Sequence, residues 1–181
     1  MLSLSNILLL TSAFFTLATY LYPNIYVFGM NDEFLNQGNY LFYGIQFFTS
    51  LFLHGSLVHL WANSIFIYIF WNQIESLLGS KKYMIFFIIS AVFIWSAITL
   101  FSDGNTIGMS GFAMALLSYY TLALRAENNP DYKWWITALV LNIGIGFMPG
   151  ISLVWHLFGA IIGVIFYYWD TEFYKKYFLR D

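Results

Sequence analysis

The feature that most constrains this chain is a succession of long apolar segments separated by short polar breaks. Each segment is close to the roughly 20 residues that a helix needs to cross a bilayer. Residues that favour turns, namely Asn, Asp, Gly and Pro, cluster in the breaks. The approximate bounds of the segments are 5–27, 55–77, 82–101, 108–126, 133–149 and 152–170. The pattern predicts an all-α membrane protein with six transmembrane helices in one compact bundle, and residues 1–181 as a single domain.

The composition requires the lipid bilayer as a partner. Of the 181 residues, 60% are hydrophobic and 9% are charged, against about 25% charged in soluble domains. The absence of cysteine excludes disulfides, thiolate metal ligands and a cysteine nucleophile. The net charge of −2 gives no reason to expect a nucleic-acid partner. The first apolar run, 7–21, lacks the basic start and the cleavage site of a secretory signal, so we expect it to remain as the first span.

The basic residues predict the orientation in the membrane. With six spans, all seven Lys and Arg residues fall on one side. They are Lys81, Lys82, Arg125, Lys133, Lys175, Lys176 and Arg180. The opposite side holds Asp32, Glu33 and Asp103 and no basic residue. Because cytoplasmic loops are enriched in basic residues, both termini are predicted to be cytoplasmic. The compact form and the lack of a transit peptide favour the cytoplasmic membrane of a bacterium as the location.

Unusual polar residues occur near the outer ends of three segments. His59 and Asn63 lie near the start of the second segment, Ser110 starts the fourth, and His156 lies near the start of the sixth. In the predicted topology all of these starts lie in the outer leaflet. Unpaired polar groups are costly in lipid, so their convergence on one depth indicates a functional site that opens outward.

The residue types in this group suit nucleophilic catalysis. A serine hydroxyl is a weak nucleophile that needs a neighbouring base, and His156 is the best placed of the three histidines to take the proton of Ser110. Ser110 lies at a helix N-terminus, whose unpaired backbone N–H groups can stabilise an oxyanion. His59 and Asn63 are four residues apart, so they share one face of a helix and can point at the same place.

Glycines around these residues predict close packing. Gly108 and a second glycine after Ser110 let the chain turn sharply at the serine. Gly159 and Gly163 form a G-x-x-x-G pattern on the same helix face as His156. We expect this face to pack tightly against small residues that recur on the fourth segment, and so to bring the histidine to the serine. Those small residues are Gly111, Ala115 and Ser118.

Three motifs resemble those of the rhomboid family of intramembrane serine proteases, of the minimal six-helix type. The first is His54-Gly-Ser-Leu-Val-His59-Leu-Trp-Ala-Asn63, followed by Glu75 and Gly79 at the exit of the same helix. The second is Gly108-Met-Ser110-Gly111, and the third is His156-Leu-Phe-Gly159-Ala-Ile-Ile-Gly163. The resemblance extends from about Phe47 to Asp170, and the motifs occur in the family's order on the expected spans.

The resemblance implies a role for each matching residue. Ser110 is the nucleophile and His156 the general base, in a dyad without an acidic third member. His59 and Asn63 bind the oxyanion together with the Ser110 backbone N–H. Gly108 and Met109 are assigned to the same oxyanion- and substrate-binding group. In the family the fifth helix and the loop that caps the site admit the substrate, which corresponds here to 134–147 and 147–150.

The chain departs from the family pattern at three places. Met114 stands where many relatives have an aromatic residue that stacks on the base. Ile45-Gln46 replaces a Trp-Arg pair of the first outer loop, which leaves the anchoring of that loop open. Ser118 replaces a glycine and is still small. None of these changes removes a reacting group.

A metal site is the other interpretation of the histidines. His54 and His59 are five residues apart, unlike the four-residue spacing of helical zinc motifs, and no carboxylate accompanies them in the outer leaflet. We therefore expect no metal and no cofactor, and a structural role for His54 in the outer loop. Two acidic residues are placed away from the site. Asp103 is expected in solvent, and Glu75 is expected to pair locally with a helix end or a lysine at the cytoplasmic end.

The predicted function is that of a serine-type intramembrane endopeptidase. Its substrate would be a transmembrane or membrane-tethered protein that is cleaved near the outer membrane face. Three alternatives remain. The chain could be a non-proteolytic rhomboid-like protein that binds and escorts membrane proteins, a rhomboid-type processor of C-terminal sorting tails, or a small transporter or channel.

Overall fold

The computed structural model describes residues 4–101 and 104–178, apart from the side chains at 71, 72 and 173–178. Asp103, expected in solvent, lies outside the described residues. An isolated antiparallel bridge between Met30 and Thr106 joins the first connection to the segment before α5. The elements are α1 (Leu4–Leu21), a 3-10 helix (Pro23–Phe28), α2 (Glu33–Asn36), α3 (Tyr40–Phe52), α4 (Leu57–Phe101), α5 (Ser110–Ala126), α6 (Tyr132–Ile145) and α7 (Leu153–Phe178).

The long helix α4 is two helices joined at a bend. Gly79 has φ 74° and ψ 152°, which is not helical, and it divides α4 into a first arm, 57–78, and a second arm, 80–101. Glycine suits this position because a side chain is disfavoured at positive φ. The bend falls at the polar break that separates the second and third apolar segments of the sequence.

Several helices are long and apolar enough to cross a membrane. Among the described residues, three meet both conditions: Leu4–Leu21, Gln73–Phe101 and Leu153–Glu172. The pair Tyr40–Phe52 and Leu57–Phe70, bent by 79°, makes a possible fourth. Helices α5 and α6 are shorter, with 17 and 14 residues. The predicted all-α membrane class is therefore confirmed, and the count of six spans stays a prediction.

The long first connection contains a helix that the sequence pattern did not indicate. This helix, α3, is bound to the preceding segment through two side chains. Gln46, which is fully buried, donates from Nε2 to the carbonyl oxygen of Val27 at 2.8 Å. Thr49 Oγ1 donates to the carbonyl oxygen of Phe28 at 2.7 Å. Gln46 thus anchors the loop in which the sequence departs from the family pattern.

Helix α1 reverses the amphipathic pattern of a soluble protein. Four of its five buried residues carry hydroxyl groups, while its exposed face is made of large apolar side chains such as Phe14 and Leu21. Lipid explains this arrangement, because an apolar surround favours apolar residues outside and hydrogen-bonded polar residues inside. The buried residues are Ser5, Leu8, Ser12, Thr16 and Thr19.

The N-terminus of α1 is capped by a distant carboxylate. Glu75 accepts hydrogen bonds from the backbone N–H groups of Leu4 and Ser5, both at 3.1 Å, and from the Ser5 hydroxyl. Ser80 Oγ donates to the same carboxylate at 3.1 Å. A carboxylate at a helix N-terminus satisfies free N–H groups and complements the helix dipole. Glu75 therefore contacts a helix end, as expected; that helix end lies 70 residues away in the chain, whereas Ser80 is five residues away.

A second polar cluster joins three helices at this end of the bundle. Lys82 of the second arm of α4 forms an ion pair with Asp170 of α7, with Nζ 2.7 Å from Oδ1. Tyr119 of α5 donates from its hydroxyl to Asp170 Oδ2 at 2.9 Å. Both carboxylate oxygens of a buried aspartate are therefore paired, which removes much of the cost of placing it in the protein interior.

Helix α5 lies at the centre of the bundle and packs closely against α7. A Cβ atom on Gly159 would overlap the carbonyl oxygen of Gly111, and one on Gly163 would overlap that of Ala115. The predicted contact between the G-x-x-x-G face and these small residues is confirmed. Because Gly111 follows Ser110 directly, this packing brings the starts of α5 and α7 side by side.

Candidate active site

A cavity of about 900 Å3 opens where α4, α5 and α7 begin. Its lining includes His59 and Asn63 from α4, Ser110 from α5 and His156 from α7. Four side chains that the sequence analysis selected from three segments therefore share one cavity. Other parts of the wall come from the segment before α5, the end of α6 and the connection to α7.

Ser110 is the first residue of α5 and follows a tight turn. Gly108 has φ 115°, a conformation that side chains disfavour, and its N–H donates to the carbonyl oxygen of Ser50 at 2.8 Å. The first N–H groups of a helix have no preceding turn of the helix to accept from them. The serine hydroxyl therefore lies at a helix start, on a turn that is bound to α3.

His156 lies in the first turn of α7 and is held by α6. Its Nδ1 is 2.6 Å from the carbonyl oxygen of Asn142. A carbonyl can only accept, so Nδ1 carries the proton and Nε2 of the neutral ring keeps its lone pair. The turn itself is capped by Ser152, whose Oγ accepts from the N–H of Trp155 at 3.2 Å. This tautomer is the one that a general base using Nε2 needs.

Ser110 and His156 both line this cavity. Within the described part of the chain, no hydrogen bond joins their side chains. Such contacts are often long before substrate binds. The predicted dyad is supported by a shared cavity, a suitable tautomer and the close packing of α5 on α7.

Asn63 brings an unused hydrogen-bond donor to the cavity. Its Nδ2 atom is buried and has no hydrogen-bond partner among the described residues. His59 lies one turn earlier on the same face of α4. A Cβ atom on Gly108 would be 2.9 Å from His59 Cε1 and 3.5 Å from Asn63 Nδ2, so both side chains lie against the turn that precedes Ser110. Buried donors without partners are rare, and one that lines a cavity is available to a ligand or a reaction intermediate.

Gly108 lies beside cavity-lining side chains, whereas the Met109 side chain packs against α1. Gly108 faces His59 and Asn63 and leaves no room for a side chain. The Met109 side chain is fully buried, with Sδ 2.9 Å from Ser12 Oγ of α1. A role of Met109 in binding would therefore fall to its backbone.

His54 is fully buried in the break between α3 and α4. Its Nδ1 is 3.2 Å from Thr16 Oγ1 of α1, and its carbonyl oxygen accepts from the Tyr26 hydroxyl at 3.0 Å. Its ring is edge-on to that of His59, with centroids 5.0 Å apart and planes at 71°. Groups of three or more His, Asp or Glu side chains that could hold a metal ion are not found among the described residues.

Sequence reasoning missed three contacts around the site. The first is the hydrogen bond between His156 and the Asn142 carbonyl oxygen, and the second is the hydrogen bond from the Gly108 N–H to the Ser50 carbonyl oxygen. The third is the pair of contacts that hydroxyl groups of α1 make with His54 and Met109. Backbone carbonyls carry no residue-type signal, so nothing in the sequence could have identified the first two. The serine and threonine positions of α1, spaced at helical periods, were a readable signal for the third.

Met114 also lines the cavity. It is four residues after Ser110 and therefore one turn further along α5. A thioether packs against an aromatic or imidazole ring, although with less directional preference than a second ring would have. The departure from the family pattern at this position thus lies inside the site.

The family model of the rhomboid domain matches residues 42–172. Rhomboid protease GlpG of Yersinia pestis (strain Pestoides F) is 34% identical over 128 residues, which cover 67% of this chain and 46% of that protein. Rhomboid protease GlpG of Yersinia enterocolitica serotype O:8 / biotype 1B is 33% identical over 128 residues, with the same coverage. The chain thus spans a little under half the length of these curated relatives. Its site residues and most of its length lie within the matched domain, and the chain belongs to the rhomboid family of integral membrane proteins.

Proposed function

We propose that this protein is a serine-type intramembrane endopeptidase. It would hydrolyse a peptide bond in a transmembrane or membrane-tethered protein near the outer face of the membrane. The main support is that Ser110, His156, His59 and Asn63, carried by three separate helices, line one cavity. Relatives that bear the name rhomboid protease add to this support.

In the proposed reaction Ser110 is the nucleophile and His156 the general base. Ser110 Oγ attacks the carbonyl carbon of the substrate peptide bond, and its proton passes to His156 Nε2. Collapse of the tetrahedral intermediate breaks the C–N bond, and the departing amine takes the proton from Nε2. Water then attacks the acyl ester and gives a proton to His156, which returns it to Ser110 Oγ as the carboxylic product leaves.

The oxyanion of each tetrahedral intermediate needs donors that are already in place. We assign this role to Asn63 Nδ2, the His59 imidazole and the backbone N–H of Ser110. The buried Nδ2 group, which has no partner among the described residues, is the strongest support for this assignment. Removing one such donor from a serine protease typically lowers the rate about 10²–10³-fold.

Substrate access is proposed to occur past α6. This helix, which is described in full, contains no buried residue, and its Asn142 and Ile145 line the cavity. Its outward side chains include Trp134, Val140 and Leu141, each more than 60% exposed. An element with so few buried contacts separates at low cost from the rest of a protein. The segment 147–150 would move with it.

The proposed orientation has both termini in the cytoplasm and the cavity open to the outside, in the cytoplasmic membrane of a bacterium. The Glu75 cap and the Lys82–Asp170 pair lie at the end of the bundle where α1 begins. Ser110 follows the connection at the other end. The basic residues of the sequence favour the cytoplasm for the first of these ends.

The test is cleavage of a single-span substrate by the purified protein in detergent. Ser110→Ala and His156→Ala are expected to abolish cleavage and labelling by a fluorophosphonate probe, while the yield of folded protein is unchanged. Ser118→Ala is the matched control, because Ser118 lies in the same helix but its hydroxyl donates to the Met114 carbonyl oxygen at 2.9 Å. Cleavage by purified Ser110→Ala protein would disprove the proposal.

The same assay separates the alternatives. A protein that only binds and escorts membrane proteins would retain a single-span partner without cleaving it and would not react with the probe. A processor of sorting tails would cleave only substrates whose apolar segment lies at the C-terminus. A transporter or channel would give solute flux in liposomes that Ser110→Ala leaves unchanged.

A further inference from the structure

The buried hydroxyl groups of α1 contact both sides of the proposed site. Ser12 Oγ lies against Met109, the residue before Ser110, on one side. Thr16 Oγ1 is 3.2 Å from His54 Nδ1 on the other. Both hydroxyl-bearing residues are buried, and both lie outside the segment 42–172 that matches the rhomboid domain.

His54 connects Thr16 to the cavity. Its ring lies edge-on to the ring of His59, with centroids 5.0 Å apart. His59 lines the cavity and His54 does not, so His54 is placed behind the residue that faces the substrate. Aromatic rings in this edge-to-face arrangement restrict each other's rotation, because rotation of either ring loses the favourable contact.

The backbone of His54 is held as well. Tyr26 OH donates to the His54 carbonyl oxygen at 3.0 Å, and Thr19 Oγ1 of α1 is 3.1 Å from the Tyr26 oxygen. Thr19 Oγ1 also donates to the Thr16 carbonyl oxygen at 2.7 Å. Side chain and backbone of His54 are thus both attached to the same turn of α1.

We propose that Thr16 and His54 are positioning residues that hold the His59 imidazole in the orientation needed at the oxyanion. Thr16 fixes the His54 ring through Nδ1, and the His54 ring fixes the His59 ring through their edge-to-face contact. This inference rests on the proposed function, since it assigns His59 to the oxyanion. It gives α1 a part in catalysis through contacts that lie behind the cavity wall.

Thr16→Val is the direct test, because valine keeps the shape of threonine and removes only the hydroxyl. We expect a lower kcat, by about tenfold, with KM unchanged, which is less than the loss on removing an oxyanion donor. Thr16→Ser, which keeps the hydroxyl, is expected to restore kcat. Thr11→Val is the matched control, because the Thr11 hydroxyl bonds to the Ile7 carbonyl oxygen of its own helix at 2.8 Å.

A spectroscopic measurement distinguishes positioning from a general loss of structure. The chain has three histidines, so protein labelled with 15N-histidine gives three imidazole spectra, which single histidine substitutions assign. Thr16→Val is expected to shift the ring signals of His54 and His59 and to leave those of His156 in place. A shift confined to His54, a shift of all three rings, or an unchanged kcat would each overturn the proposal.

A second variant and the Ser110→Ala control separate this proposal from a folding defect and from failure of the proposed function. If Thr16→Val does not fold, Tyr26→Phe replaces it. It removes the hydroxyl that links the His54 carbonyl oxygen to Thr19, and it should give the same pattern of ring shifts with a smaller loss of kcat. Cleavage by Ser110→Ala protein would instead disprove the proposed function. The histidine spectra would still decide whether Thr16 orients the His59 ring through His54.

Discussion

His156 Nδ1 lies 2.6 Å from the carbonyl oxygen of Asn142, so the proposed base is held by the helix past which the substrate is proposed to enter. The Asn142 side chain takes no part in this contact, because its Nδ2 donates to the Ala138 carbonyl oxygen at 2.8 Å. The contact therefore depends on the position of α6 and not on the residue type at 142. Displacement of α6 would free the imidazole, and its return would orient Nε2 again.

Two asparagines that line the cavity should respond differently to substitution. Asn63→Ala removes a donor that is free for the oxyanion, and we expect kcat to fall about 10²–10³-fold. Asn142→Ala keeps the backbone carbonyl that binds His156 and should leave kcat close to that of the unaltered protein. Cleavage assays at saturating substrate measure both. Equal losses in the two variants would contradict the assignment of Asn63.

Gly108→Ala is expected to inactivate the protein. Alanine at φ 115° is strained by about 1–3 kcal/mol, and its Cβ would also press on the His59 ring at 2.9 Å. Gly104→Ala separates the two effects, because Gly104 has φ 100° and open space around its Cβ position. We expect both variants to lose stability in thermal unfolding but only Gly108→Ala to lose kcat beyond its loss of folded protein. An active Gly108→Ala protein would count against a tight site at this turn.

Gly159→Ala is expected to separate α7 from α5. The added methyl group would overlap the Gly111 carbonyl oxygen, and overpacking of this kind costs about 1–3 kcal/mol. Because Gly111 adjoins Ser110, we expect activity to fall together with the unfolding temperature. Gly44→Ala in α3 is the control, since nothing lies within 4 Å of its Cβ position and alanine favours a helix. If both variants unfold at the same temperature, α7 does not pack on α5 as closely as the contact between Gly159 and Gly111 indicates.

The Asp170 cluster should affect stability without affecting catalysis. Asp170 lies fourteen residues after His156, which is about 21 Å along α7. Asp170→Asn weakens the pairing with Lys82, and Tyr119→Phe removes the hydrogen bond to Oδ2, so each is expected to destabilise the fold by about 1–3 kcal/mol. Unfolding in detergent measures the loss of stability, and kcat per folded molecule checks that catalysis is unchanged. A variant whose kcat falls while its stability is unchanged would contradict a purely structural role for this cluster.

The sequence predicted the parts of the fold that follow from helical spacing. Gly159 and Gly163 share a face because they are one turn apart, and that face packs on α5 as expected. His59 and Asn63 lie together on the cavity wall for the same reason. Helix α3 was missed because its 13 residues are too few for a span and follow a stretch rich in turn residues. Glu75 contacts a helix end, as expected, and also Ser80 close by in the chain, but helical spacing could not indicate that this helix end is the start of α1.

The sequence by itself determined that this chain lies in a membrane and which side chains are candidates for nucleophile, base and donor. A composition of 60% hydrophobic residues needs lipid, and few residue types can serve as nucleophile, base and donor. Only the tertiary structure decided which polar groups meet and what holds them. Spacing along one helix sets the face on which a side chain lies, whereas contacts such as Asn142 with His156 or Thr16 with His54 depend on how close separate helices approach. That approach is set by packing between small residues far apart in the chain, and by backbone groups that every residue shares.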